Sequence, residues 1–70
     1  MTNTGPSSGK TSLYRFLRPE GTEIESGQFA SDDEAEAYAR ELPVAHETAV
    51  VIQRHDHVDW EYVTEVDERP

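Results

Sequence analysis

The sequence predicts an α+β fold of order β-β-α-β-β, a four-stranded antiparallel sheet with one helix packed on one face. Three observations lead there. Ser31-Asp32-Asp33-Glu34 opens a helical pattern that Pro43 closes. Two strand-like runs precede it on either side of Pro19-Glu20-Gly21, and two more follow it on either side of Asp56-His57-Val58-Asp59.

The first strand is read from Ser12 to Arg18, where Leu13, Tyr14, Arg15, Phe16 and Leu17 are aromatic, branched or long and Pro19 sets the end. Both of its faces are partly apolar, Leu13 and Leu17 on one and Tyr14 and Phe16 on the other. Pro19 fixes φ and Gly21 tolerates a positive φ, so Pro19-Glu20-Gly21-Thr22 reads as a turn. A weaker strand follows from Thr22 to Phe29, with Ile24 between Glu23 and Glu25 and with Gly27 suggesting a bulge or the strand's end.

Ser31 is placed to cap a helix, Glu34 to reach back toward Ser31, and Asp32 and Asp33 to favour the positive end of the helix dipole. Ala35, Tyr38, Ala39 and Leu42 recur at helical spacing as one apolar stripe, and Glu36 and Arg40 are spaced as an exposed ion pair. Pro43 disfavours helical geometry at Leu42, so the helix runs from about Asp32 to Glu41 or Leu42. Residues 44–47 read as a loop.

The run Thr48 to Arg54 is β-branched and continuous, the pattern of the most buried strand. Trp60 to Val66 alternates, placing Trp60, Tyr62, Thr64 and Val66 on one face and Glu61, Val63 and Glu65 on the other. The expected core is Tyr38 and Leu42 against Val50, Ile52, Trp60 and Tyr62, with one apolar pair of the first strand. The domain spans residues 12–67, between a flexible tail of residues 1–11 and a C-terminal tail of residues 68–70.

Seventy residues with 15 acidic and 6 basic side chains and no cysteine limit the functions open to the chain. Nucleotide-binding sheets of the doubly wound type and (β/α)₈ barrels need ~200 residues or more. Disulfide frameworks, thiolate metal sites and cysteine nucleophiles are excluded. No apolar run approaches the ~20 residues of a membrane span and no signal-peptide core is seen, so a cytoplasmic protein without membrane contact is expected. Charge is segregated: Lys10, Arg15 and Arg18 precede any acid, and everything from Glu20 onward sums to −12.

Gly5-Pro6-Ser7-Ser8-Gly9-Lys10-Thr11 looks like a phosphate-binding loop, but three residues rather than four separate the first Gly from Gly-Lys, and no strand precedes it. No serine with an evident base, nucleophile elbow or distinct carboxylate pair is present, so no enzyme activity and no cofactor are expected. The −12 segment would repel phosphates, which argues against direct nucleic-acid binding. The first strand leaves one apolar pair on the open side of the sheet, which makes a protein partner or a second copy the expected ligand. Tyr14, Phe16, Trp60 and Tyr62 are the candidate anchors, some of them necessarily core. Two further readings follow, an acidic inhibitor or nucleic-acid mimic acting on a basic protein, and weak metal binding through His55 and His57.

Overall fold

The computed structural model describes residues 11–56 and 58–70. The expected tail therefore lies outside the described residues except for Thr11, as does the metal reading's His57. The described chain forms β1 (Ser12–Leu17), β2 (Glu23–Phe29), α1 (Asp32–Glu41), a short 3-10 turn (Pro43–His46), β3 (Val50–His55) and β4 (Trp60–Val66). The four strands make one antiparallel sheet in the order β2-β1-β3-β4. This is the β-β-α-β-β arrangement, with two hairpins joined at the sheet centre through β1 and β3.

The first hairpin turns through Pro19-Glu20-Gly21. Gly21 N–H donates to the Arg18 carbonyl at 2.8 Å, Arg18 N–H donates to that of Thr22 at 2.8 Å, and Gly21 has φ +107°. That geometry is a three-residue loop in which proline presets the turn and glycine supplies the positive φ. At the other end Asp56 N–H donates to the Asp59 carbonyl at 2.7 Å and closes the second hairpin.

α1 begins as its sequence directs. Ser31 has extended backbone geometry, and its hydroxyl accepts the N–H of Glu34 at 3.2 Å. The Glu34 carboxylate reaches back one residue further than expected, accepting the Ala30 N–H at 3.4 Å. Arg40 pairs with Glu36 one turn earlier and also with Glu68 at 2.7 Å. Residues 44–47, expected as a loop, are partly a 3-10 turn with Pro43 at its start, where a missing N–H costs nothing. The turn buries Ala45 completely, and its carbonyl accepts the N–H of Glu68 at 3.0 Å, tying down the start of the segment read as a C-terminal tail.

The core lies between the sheet and α1. Ala35 and Ala39, both with no exposed surface, let the helix sit close to the strands, and Tyr14, Phe16, Val50, Ile52 and Val66 fill the space beneath. Phe29 lies edge-on to Tyr14 and Phe16 with ring centres 5.8 Å from each. A β-carbon at Gly27, which pairs with Tyr14, would stand 3.3 Å from that ring. Tyr38, expected in the core, is at its rim: the ring leans on Phe16 and Phe29 while the hydroxyl donates to Glu25 of β2. A phenol can bury its body and keep its tip in water, which an apolar stripe in the sequence does not distinguish. β3 is fully buried at Val50 and Ile52, but β1, the other central strand, is no less buried through Tyr14, Phe16 and Leu17.

Two β-bulges reset the faces of the edge strands. In β2 the extra residue is Ile24, between the pairs Phe16–Glu25 and Leu17–Glu23, rather than anything at Gly27. In β4 it is Val63, between Ile52–Thr64 and Gln53–Tyr62. Both extra residues are apolar and pack against the core. Placing two residues opposite one reverses the alternation beyond the bulge. Thr64 and Val66 therefore face the helix, whereas Trp60 and Tyr62 face away from it, which corrects the expectation that all four share the core face.

Candidate interaction face

Alternation from the buried pair Tyr14 and Phe16 puts Leu13, Arg15 and Leu17 of β1 on the open side of the sheet. The same register brings Val51, Gln53 and His55 of β3 there, and the β4 bulge adds Trp60 and Tyr62. Of the four anchor candidates, Tyr14 and Phe16 are 2% and 0% exposed. They hold the helix and offer nothing to a partner, because a branch-free aromatic pair on a central strand is the largest apolar volume available under an alanine-faced helix. Trp60 and Tyr62 lie on the open face, with Tyr62 at 62% exposure, and Leu13 lies on the same face two strands away, across β3, at 38%.

The open face is partly organised already. The Arg15 side chain donates through Nε to the Gln53 amide oxygen at 2.7 Å and lies over the Trp60 indole, 4.2 Å from its centre. The His55 ring meets the same indole edge-on with centres 4.9 Å apart. Arg15 and His55 thus fix the orientation of Trp60, while the ring of Tyr62 stands open. Leu17, only 6% exposed on this side, is already covered by its neighbours.

Carboxylates are distributed unequally between the two sides. Among the outward sheet residues they are Glu23 and Glu65, in one row with Leu17 and Val51 at one end of the face. On the helix side Asp32 accepts the Tyr14 hydroxyl at 2.6 Å and an Arg54 N–H at 2.7 Å, and Arg54 also donates to Glu61 at 2.9 Å. These contacts hold the Asp32 carboxyl below the usual aspartate range, first through the Tyr14 hydrogen bond and then through Arg54. Burial and the Asp32 carboxylate push the Tyr14 phenol above the ordinary tyrosine value, and the two carboxylates hold Arg54 firmly charged. Asp32 at the helix start is thus bound to partners within the fold, whereas Asp33 faces outward.

An open depression of about 520 Å³ lies where the start of β1 meets the end of β3, lined by Thr11, Ser12, Leu13, Arg54, His55 and Asp56. Among the described residues no three His, Cys, Asp or Glu side chains gather as metal ligands, and no helix is long and apolar enough to cross a membrane.

The signal that finds Leu13 and Leu17 on this face is the two-faced apolar pattern of the first strand. Arg15 has no such signal, because its partners Gln53 and Trp60 lie 38 and 45 positions away in sequence. Compared with family models, with curated proteins and with solved structures, the chain matches none.

Proposed function

We propose that the chain is a non-catalytic protein–protein interaction module whose contact surface is the open face of its sheet, acting in the cytoplasm. The observation that supports this reading is the placement of Trp60, Tyr62 and Leu13 together on that face, with Tyr62 more than half exposed. Aromatic side chains standing clear of the core supply large contact area with few rotatable bonds. Trp60 is held in one orientation by Arg15 and His55, so part of the ordering that binding requires is present before a partner arrives. The alternative of an acidic mimic is less well supported, since Asp32, Glu36, Glu61 and Glu68 are engaged with arginines of the same chain.

The test is a photoreactive phenylalanine analogue installed at Tyr62 or, for comparison, at Asp33 on the outer side of α1. After irradiation in the host cells, the position-62 protein is expected to form discrete protein adducts and the position-33 protein none. Equal labelling from both positions, or none from position 62, rejects the reading. The underlying complex should survive washing from ~0.1 M to ~1 M salt, because an apolar contact is little screened.

A further inference from the structure

We infer that the partner of the open face is a second copy of the same chain, docked sheet to sheet. The inference rests on the interaction-module reading and adds the identity of the partner.

Charge narrows the choice first. A basic partner would be recognised by carboxylates, yet the outward sheet residues offer Glu23 and Glu65, both at one end. An acidic partner would be recognised by cations, yet the outward Arg15 is already engaged with Gln53 and Trp60. What remains is a nearly neutral surface of aromatic, aliphatic and amide groups, and the same face of another molecule has that composition. Self-repulsion does not oppose the pairing strongly. Asp33, Glu36 and Glu41 lie on the helix layer, which points outward in a face-to-face dimer. Each sheet or helix layer adds ~10 Å of separation, comparable with the screening length of ~8 Å at physiological salt.

Topology disfavours the competing mode. Edge-to-edge pairing would use β2 or β4, and both are interrupted by a bulge and carry acids, Glu23 and Glu25 on one and Glu61 and Glu65 on the other. The open face has no such obstruction. A two-fold axis running across the strands lays the Glu23–Glu65 row of one copy over the row of the other that contains Leu13, His55 and Trp60, so acid does not meet acid. Strand spacing and length give a face of roughly 20 × 20 Å, so two copies would bury roughly 800 Å². That is below the size of a stable interface, in the range of weak transient contacts, and describes a reversible dimer populated only at high concentration.

Sedimentation velocity on the purified full chain from ~5 to ~500 μM covers the range of such a dimer. A concentration-dependent monomer–dimer equilibrium is expected. Tyr62→Glu and Leu13→Glu should each weaken it about a hundredfold or more, since a two-fold contact contains every substitution twice. Asp33→Asn should leave it unchanged. Isotope-filtered NOEs on a mixed labelled sample give a second readout that needs no variant, with contacts between copies expected at the Tyr62 ring and the Leu13 methyls. A monomer across the whole range overturns the inference, as does a dimer indifferent to both glutamate substitutions. So does a monomer in which residues 1–10 give NOEs to the Tyr62 ring. A monomeric purified protein that still forms position-62 adducts with other proteins in cells removes the second copy and leaves the module reading intact. Absence of adducts removes both.

Discussion

The hydroxyl of Tyr14, in the middle of β1, donates to the carboxylate of Asp32, the first residue of α1, across 2.6 Å. This contact joins the central sheet to the positive end of the helix, and Arg54 of β3 donates to the same oxygen and extends the link to Glu61 of β4. The Asp32 charge therefore meets the helix dipole, a phenol and a guanidinium together.

Removing only the hydroxyl isolates this contact. Tyr14→Phe keeps the ring packed on Phe29 and should cost about 1.5 kcal/mol, the low end of the range for a hydrogen bond to a charged group, because the Asp32 side chain is half exposed. Urea unfolding should show a lower midpoint with an unchanged slope.

The same pair sets a pH dependence of known sign. A carboxyl whose folded pKa is depressed adds stability that is fully present above the unfolded aspartate value, ~4, and is lost as pH falls through the lower folded value. The raised Tyr14 phenol acts at the other extreme, adding stability below ~10 that is lost as pH rises through its folded value. Asp32→Asn should therefore flatten the acid limb of a stability–pH profile and leave the neutral plateau lower. Asp67, pulled down to about 2 by Arg69, should not behave this way: its partner is only two residues along and the pair is exposed, so solvent screens it. Asp67→Asn should leave the acid limb as it was.

Gly21 carries the positive φ of the first turn at +107°. Space is not the constraint, since a β-carbon there meets nothing within 4 Å, but an L side chain is strained at that φ. Gly21→Ala should destabilise by about 1–2 kcal/mol, and Gly21→Asn by less, by chemical denaturation.

Close approach of helix and sheet depends on Ala35 and Ala39, which have no exposed surface. Ala39→Leu should cost about 1–3 kcal/mol by forcing the layers apart, whereas Ala37→Leu on the exposed side should be close to neutral in thermal melts.

Trp60 is the single tryptophan of the chain, so its fluorescence reports on the open face alone. Arg15→Ala removes the guanidinium 4.2 Å from the indole and should shift the emission to longer wavelength, with a stability loss of about 0.5–1 kcal/mol. An unchanged spectrum would mean that Arg15 does not hold the ring.

Local chemistry alone sufficed for the elements whose determinants are neighbours in sequence. Ser31 and Glu34 start the helix, Pro43 ends it, Pro19 and Gly21 make the turn, and the order of strands and helix follows from those signals. The strand alternation also made plain that the first strand has two apolar faces. Which of them is core was decided only by tertiary packing: alanines on the helix leave room for Tyr14 and Phe16, and the Tyr14 hydroxyl finds a partner in Asp32. The placement of Trp60 and Tyr62 was likewise invisible in the pattern, because Trp60 to Val66 reads as an unbroken alternation. Packing Val63 into the core beside Thr64 adds one residue against β3 and turns everything before it over. That reversal puts Glu61 on the helix side, where it meets the Arg54 that also holds Asp32, and puts both aromatic rings on the open face. Hydrogen-bond register across β3 and β4 is a property of the assembled sheet, and no residue within the run announces it.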